Sequence, residues 1–337
     1  MTYDGMLLVD ALRDPAGTSR LDADGWTALL TIARVEQLLG TLARRVSGLP
    51  MPDAVAGILE EARVNAEYQR RSALWEADCA RRALARYSGK VVLMKGTAYV
   101  AAGLKAGEGR HIGDLDILVA RDDLPQVEAA LLKAGWEWVK EDAYDDAYYR
   151  DHMHELPPLI HKERDRMIDV HHTILPLTAR PRPDASAMLA DAAGLADGLY
   201  VLNPTDMLIH SAAHLFADGE LDGGLRNLWD IHCLIHEPAD AAFWPALASR
   251  AVHHQLLTPV ERAVRLAHWL YGTEIPNGWR RGHWQDAHYI RRLTARDHWG
   301  RGSHKFTRLL FYIRSHWLRM PPLMLARHLW TKWRKSA

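Results

Sequence analysis

Residues 110–119 have the sequence Arg-His-Ile-Gly-Asp-Leu-Asp-Ile-Leu-Val, and this stretch decides the fold. From Asp114 onward polar and apolar side chains alternate. Alternation is typical of a β-strand, because successive side chains point to opposite faces of a sheet. Asp114 and Asp116 therefore share one face of the predicted strand, and Leu115, Ile117 and Val119 share the other. The pattern predicts a strand with one face in the core and two carboxylates on the other.

Two more runs predict neighbouring strands. Val91-Val92-Leu93-Met94 has the length of a buried strand, and Met167-Ile168-Asp169-Val170-His171 alternates again. In the second run Asp169 shares a face with Met167 and His171. Lys95-Gly96-Thr97 follows the first run as a predicted turn, before a short helix over 98–104. We therefore expect three aspartates to come from neighbouring strands of one sheet.

Helical patterns flank these strands. Apolar residues recur at helical spacing from Ala54 to Tyr87, and Asp123 precedes a further helix that we expect to end at Gly135. Residues 136–140 predict another strand. The polar stretch 141–165 contains two prolines, so we expect a loop there.

A second helical part follows the sheet. Asn203-Pro204-Thr205-Asp206 predicts a helix start, with an N-cap residue and a proline at the first helical position, and 225–235 predicts the next helix. The basic, tryptophan-containing tail 306–335 is interpreted as a packed helical tail broken at Pro321-Pro322. The proline-rich stretch 176–183 indicates a boundary. We predict three parts: a helical region 1–88, a sheet-containing core 89–180 and a helical domain 181–337.

Composition excludes several classes of protein. Among 337 residues, 42 basic and 42 acidic side chains give no net charge, so no overall field attracts nucleic acid or an anionic membrane. The two cysteines, Cys79 and Cys233, do not form a CxxC pair, which disfavours a cysteine zinc site. The start Met1-Thr-Tyr-Asp-Gly lacks a signal-peptide pattern, and no apolar stretch reaches the roughly 18 residues of a membrane span. We expect a cytoplasmic protein.

Three carboxylates brought together repel one another unless a cation compensates their charge. Mg²⁺ and Mn²⁺ prefer oxygen ligands, and two such ions are used in nucleotidyl transfer. A nucleoside triphosphate also needs a binding site for its phosphates. Lys95, Gly96 and Thr97 lie before a predicted helix, where free backbone N–H groups favour anions, and Lys95 and Arg110 can neutralise phosphate charge.

Together these residues resemble the polymerase-β-type nucleotidyltransferase superfamily. The resemblance rests on Lys95-Gly96-Thr97-Ala98, on the strand with Asp114 and Asp116, and on Ile168-Asp169-Val170-His171. Within the superfamily, the chain is similar to the bacterial family labelled uncharacterised nucleotidyltransferases, whose downstream helical pair resembles 206–214 and 225–231. The likeness covers about residues 90–240.

The resemblance implies an α+β fold, a polymerase-β-like mixed sheet with flanking helices, between N-terminal and C-terminal helical regions. It implies that 89–180 is the catalytic core, that Asp114 and Asp116 bind metal, and that Asp169 is the third carboxylate. Gly96 and Thr97 would hold phosphate. The superfamily usually has Gly-Gly or Gly-Ser at this turn, and threonine keeps the hydroxyl but adds a β-branch.

Several alternatives stay open. The fold could serve a nucleotide-binding regulatory or partner-binding module without turnover. A histidine-based metallohydrolase would bind zinc or iron through His152, His154, His171 or His214. Arg110 could form a salt bridge to an aspartate of the site, and Asp169 could be a buried partner of an arginine.

The acceptor of a transferred nucleotide is predicted only by class. Neutral charge favours a small molecule or peptide over long nucleic acid, because nucleic-acid binding needs clustered basic residues. Four side chains are expected near the acceptor or behind the aspartates. They are His171, His214, Arg226 and Asp230.

Overall fold

A computed structural model describes residues 3–140, 142–237, 242–319, 330 and 334. Its strands are β1 (Val92–Leu93), β2 (Leu115–Leu118), β3 (Trp136–Trp138), β4 (Leu159–His161), β5 (Met167–His171), β6 (Ala193–Gly194) and β7 (Tyr200–Val201). They form one sheet in the order β3-β4-β5-β2-β1-β7-β6. The pairs β2–β5 and β1–β7 are parallel and the others are antiparallel. The predicted fold class, a mixed sheet with flanking helices, is confirmed.

Four helices precede the sheet: α1 (Gly5–Arg13), α2 (Ala23–Val35), α3 (Leu39–Arg45) and α4 (Asp53–Ala83). Asp4 and Asp22 cap the first two, since their carboxylates accept hydrogen bonds from the first-turn N–H groups of Met6 and Gly25. The helix predicted from Ala54 corresponds to α4, which ends four residues before Tyr87.

Four helices are interspersed with the strands: α5 (Lys95–Ala101), α6 (Leu124–Lys133), α7 (Ala143–His152) and α8 (Ala185–Ala190). α5 begins at Lys95, so the predicted turn 95–97 is already the first helical turn. α6 agrees with its prediction, and Val127 and Leu131 on its apolar stripe are buried.

The prediction of a loop over 141–165 was wrong, because α7 and β4 lie within it. α7 lacks a strong apolar stripe, and side-chain pairs hold it instead. Arg150 bonds Glu128 of α6 at 2.8 Å and Asp146 of α7 at 2.9 Å. β4 is three residues long and is fixed by pairing with β3 and β5. Contacts between elements, such as Arg150 with Glu128 and β4 with its neighbouring strands, leave no periodic signal in a sequence.

Among the residues that the structure describes up to 319, the helices after the sheet are α9 (Pro204–Ala213), α10 (Gly224–His236), α11 (Phe243–His253), α12 (Leu257–Tyr271), α13 (Asp286–Leu293) and α14 (Lys305–Arg319). The predicted start of α9 is confirmed, since the Asn203 side chain accepts from the Asp206 N–H at 3.0 Å. α9 continues into a π-helical turn, His214–Asp218. The predicted break at Pro321-Pro322 lies outside the described residues.

One apolar core joins all three predicted parts of the chain. Leu8 and Leu29 of the N-terminal helices, Ile117 of β2 and Leu228 of α10 belong to the same buried cluster. The sheet also continues beyond residue 180, where the core was predicted to end, because β7 pairs with β1. Strands as short as β6 and β7 carry no detectable alternation. None of the described helices combines the length and hydropathy needed to cross a membrane.

The loop before β2 is held against α3 at a pair of glycines. Gly109 has a φ of +67°, and a Cβ there would overlap the backbone of Gly40. A side chain at either position would push the loop away. This contact fixes the backbone from which Arg110 extends.

Candidate active site

Three aspartates converge at the centre of the sheet. β2 and β5 are parallel neighbours in a register that places Asp116 directly beside Asp169. Asp114 precedes β2 by one residue and has the same orientation as Asp116. Carboxylate oxygens of the three residues all lie within 4.8 Å of one another. Asp116 is buried, Asp169 is partly buried and Asp114 is exposed.

A lysine compensates part of this negative charge. Nζ of Lys95 lies 2.6 Å from Oδ1 of Asp116. Burial opposes the charge on Lys95, but Asp116, with Asp114 and Asp169 further away, outweighs burial and raises the lysine pKa. Burial likewise disfavours the Asp116 anion, yet Lys95 and His171 hold its pKa far below the usual value. Both partners are therefore fully charged at neutral pH.

His171, predicted to lie behind the carboxylates or near the acceptor, contacts Asp116 directly. Its Nε2 lies 2.9 Å from Oδ1 of Asp116, and its ring is buried. Because an ionised carboxylate only accepts hydrogen bonds, Nε2 of His171 carries the proton in this contact. The oxygen Oδ1 of Asp116 is thus bound by two donors and held in one orientation.

Asp169 differs from Asp116 in its charge state. Burial, together with the negative charges of Asp116 and Glu155, raises the pKa of Asp169 to about 7. It forms no ion pair with an arginine within the described part of the chain. A carboxyl group that titrates near pH 7 suits proton transfer at physiological pH, or a ligand that ionises when a cation arrives.

A cleft of about 540 Å³ opens beside Asp114 and Asp116. Its lining combines the two carboxylates with cationic side chains. The other lining residues include Lys95, Gly96, Arg110, His111, Asp165, Met167, His214, Arg226 and Asn227. Carboxylates and cations in one cleft suit a ligand that brings both metal ions and phosphates.

The Arg110 side chain lies in the cleft wall and is held there by two contacts. Its Nη2 lies 3.1 Å from Oδ2 of Asp230, and its guanidinium lies over the Tyr99 ring at 5.4 Å. Its partner is Asp230 of α10 and none of the three converging aspartates, contrary to the alternative reading of the sequence. A Cβ on Gly96 would overlap Nη1 of Arg110. Glycine at 96 thus makes room for this guanidinium.

Arg226 lies behind Arg110 in the same wall. It is 4% exposed, and its Nε is 3.6 Å from Oδ2 of Asp230. Nε and Nη1 of Arg226 make no hydrogen bond to any described residue. Burial and the charge of Arg110 lower the pKa of Arg226 to about 10, so it remains charged at pH 7. A buried guanidinium with unused donors at a cleft suits an anionic ligand.

Thr97 and His214 differ in their access to the cleft. Thr97 is buried, does not line the cleft, and its hydroxyl has no hydrogen-bond partner among the described residues. Its predicted contact with phosphate stays a prediction. His214 is exposed on the cleft at the start of the π-helical turn, whereas His210, one turn earlier in α9, is buried.

The sequence pattern did not reveal Glu155 beside the aspartates, and it named His154 only for the alternative of a histidine-based metal site. Glu155 and His154 fall in the stretch predicted as a loop, yet Glu155 forms a β-bridge with His171 and its Oε2 lies 3.3 Å from the Nδ1 of His171. No motif spacing links residues 154 and 155 to position 171. Only the tertiary fold brings these three residues together.

The converging aspartates fit a divalent cation by the chemistry of their donors. Mg²⁺ and Mn²⁺ bind hard oxygen ligands, and Asp114, Asp116 and Asp169 offer such oxygens within 4.8 Å of one another. Ligands of one ion lie about 3 Å apart in octahedral geometry, so small side-chain movements suffice. The three residues could hold such an ion at the mouth of the cleft.

Comparison with known proteins assigns the family. A family model described as uncharacterised nucleotidyltransferase matches residues 22–272, well over half of the 337 residues. The match contains the three aspartates, the cationic cleft wall and helices α2–α12. No curated protein matches the chain. The chain therefore belongs to the family of uncharacterised nucleotidyltransferases.

Proposed function

We propose that this chain transfers a nucleoside monophosphate from a nucleoside triphosphate to an acceptor hydroxyl, amine or phosphate, with Mg²⁺ or Mn²⁺. The observation that carries the proposal is the convergence of three carboxylates within 4.8 Å beside a cleft with cationic walls. Family membership supports nucleotidyl transfer in general. The reaction breaks the bond between the α- and β-phosphates and releases pyrophosphate.

Asp114 and Asp116 would hold both metal ions, and Asp169 would complete the site for one of them. When bound, two divalent ions activate the attacking oxygen and stabilise the leaving pyrophosphate. Asp169 would also assist deprotonation of the acceptor group; its pKa of about 7 describes the site without metal, and a bound cation would lower it. His171 positions Asp116 through the 2.9 Å contact to Oδ1.

Lys95, Arg110 and Arg226 would bind the β- and γ-phosphates. All three line the cleft. Lys95 also contacts Asp116, so it can interact with both the carboxylates and the phosphates. Gly96 lines the cleft, and Thr97 would need to rotate toward it to donate to phosphate.

The acceptor would be a small molecule or a peptide in the cytoplasm. The 540 Å³ cleft falls within the range of about 300–1,000 Å³ that ligand pockets occupy. It holds a nucleotide and leaves its open side for the acceptor. His214, which lines the cleft, would contact that second substrate, and Asp230 would support the cleft wall by pairing with Arg110.

Calorimetry and pyrophosphate release test the proposal together. We expect ATP, GTP, CTP or UTP to bind more tightly with Mg²⁺ than with chelator, and pyrophosphate to form. Asp114→Asn and Asp116→Asn should abolish product, whereas Asp122→Asn, an exposed carboxylate after β2, should leave it unchanged. Nucleotide binding that ignores metal and yields no pyrophosphate would instead indicate a regulatory module.

A further inference from the structure

A second cluster of metal-ligand side chains lies behind the aspartates. The backbone of 154–156 runs beside the end of β5, with Leu156 N–H donating to Val170 at 2.9 Å and His172 N–H donating to His154 at 2.9 Å. Glu155 and His171 face each other across this antiparallel bridge. Side chains carried by paired backbone segments are held more rigidly than side chains on a free loop.

The side-chain ligand atoms of these three residues lie close together. Oε2 of Glu155 is 3.3 Å from Nδ1 of His171 and 3.7 Å from Nε2 of His154. Ligand atoms of all three residues lie within 4.8 Å of one another. Zinc–ligand bonds of about 2.0–2.2 Å in tetrahedral geometry put ligand atoms about 3.3–3.6 Å apart. The two imidazole rings are stacked, with centroids 5.2 Å apart and 30° between their planes, so one ring must rotate to bring both nitrogens onto one ion.

Two nitrogen atoms of the cluster are buried without a hydrogen-bond partner. Nδ1 of His171 makes no hydrogen bond to a described residue, although Oε2 of Glu155 is 3.3 Å away. Nδ1 of His154 is also buried without a hydrogen bond to a described residue. Because buried polar atoms are normally satisfied, unpartnered imidazole nitrogens beside a carboxylate suit a bound metal ion.

We propose that His154, Glu155 and His171 form a binding site for one transition-metal ion of the Zn²⁺ type. Two imidazoles and one carboxylate match the ligands that zinc takes, whereas Mg²⁺ prefers oxygen alone. The site is thus chemically different from the aspartates. Three protein ligands leave a fourth position for water or a substrate atom.

His171 links the two sites. Its Nδ1 faces the proposed zinc ion and its Nε2 donates to Asp116, which is the carboxylate–histidine–metal arrangement that orients metal-bound histidines. An ion at Nδ1 fixes the ring and strengthens the donation from Nε2. The proposed zinc ion therefore helps to hold Oδ1 of Asp116 in its orientation, and it stabilises the sheet edge at residues 154–156.

The test uses the full chain, stripped by chelator and kept in excess Mg²⁺ so that the aspartates are occupied, with no nucleotide. We expect one Co²⁺ per chain with the visible absorption of a tetrahedral, nitrogen-containing site, and displacement of Co²⁺ by one Zn²⁺. His154→Gln and Glu155→Gln should weaken zinc binding by at least about 100-fold, because loss of even an outer-shell partner costs about 10–100-fold.

The controls separate this site from others. His161→Gln removes a different buried imidazole of the same sheet and should leave zinc affinity unchanged, as should Asp114→Asn at the aspartates. Circular dichroism confirms folding of each variant. An absent cobalt spectrum in the unmodified chain, or equal zinc affinity in Glu155→Gln, would overturn the proposal. Either result leaves nucleotidyl transfer, measured separately by pyrophosphate, untouched.

Discussion

Nζ of Lys95 lies 2.6 Å from Oδ1 of Asp116, so a protein cation is already in contact with the carboxylates that are proposed to bind metal. Lys95 is the first residue of α5 and has a φ of +48°, in the left-handed region. A non-glycine residue there stores about 1–3 kcal/mol of strain. This backbone conformation directs the Lys95 side chain both toward Asp116 and into the cleft.

Lys95→Met should weaken binding of a Mg²⁺–nucleoside triphosphate analogue by about 10–100-fold, since a charge-assisted hydrogen bond contributes about 1.5–3 kcal/mol. The same change should strengthen binding of Mg²⁺ alone, because a competing cation leaves the carboxylates. Calorimetry measures both. Lys105→Met, an exposed lysine after α5, is the matched control. Nucleotide affinity equal to that of the unmodified chain would contradict the role of Lys95.

Asp169 should make stability depend on pH when metal is removed. Its pKa is raised from 3.8 to about 7, so the folded chain keeps a proton that the unfolded chain loses. Unfolding free energy therefore falls as pH rises from about 4 to 7, by about 2 kcal/mol after allowance for partial exposure. Asp169→Asn should remove this slope.

Thermal unfolding in chelator between pH 5 and 8 measures the effect. At pH 8 Asp169→Asn should be more stable than the unmodified chain, and added Mg²⁺ should reduce that difference by stabilising the ionised aspartate. Parallel pH curves for the two proteins would show that Asp169 ionises normally.

Arg226→Met should separate stability from binding. Nε and Nη1 of Arg226 make no hydrogen bond to a described residue, and Asp230 keeps Arg110 as its partner, so this substitution leaves no carboxylate unpaired. The melting temperature should therefore stay equal or rise. Nucleotide affinity should fall about tenfold or more. A large loss of stability with unchanged affinity would mean that Arg226 only supports the fold.

Gly96→Ala should disturb Arg110, because the added Cβ overlaps the guanidinium that pairs with Asp230. We expect a loss of about 1–3 kcal/mol in unfolding free energy, partly offset by the higher helix propensity of alanine, and weaker nucleotide binding. Gly113→Ala, in the same cleft with open space around its Cβ position, should change stability by less than about 0.5 kcal/mol. Equal effects of the two substitutions would refute the steric explanation.

The local sequence pattern was enough to predict several strands and helices. Alternation placed β5 at its observed bounds, and the cap at Asn203 placed the start of α9. Alternation also put Asp114 and Asp116 on one face. The pairing of Asp116 with Asp169 depends on register between β2 and β5, which the resemblance implied and the pattern alone could not fix.

The rest of the site is built by long-range contacts. Arg110 meets Asp230 across 120 positions of sequence, and Glu155 reaches His171 through a bridge inside a stretch that appeared unstructured. The sequence left open a salt bridge from Arg110 to an aspartate of the sheet as one alternative to phosphate binding, and no periodicity connects its loop to a distant helix. The fold decides which charged side chains pair at such distances along the sequence. The residue types alone do not, because each charged side chain can pair equally well with many others.

The spacing of the Asp116–Asp169 pair is fixed by backbone hydrogen bonds between adjacent strands and is independent of the length of chain that joins them. Insertions or deletions around α7, where no described residue lines the cleft, can therefore change the surface while the two carboxylates stay side by side. His154 and Glu155 are the exception within this connection, since their backbone pairs with the end of β5.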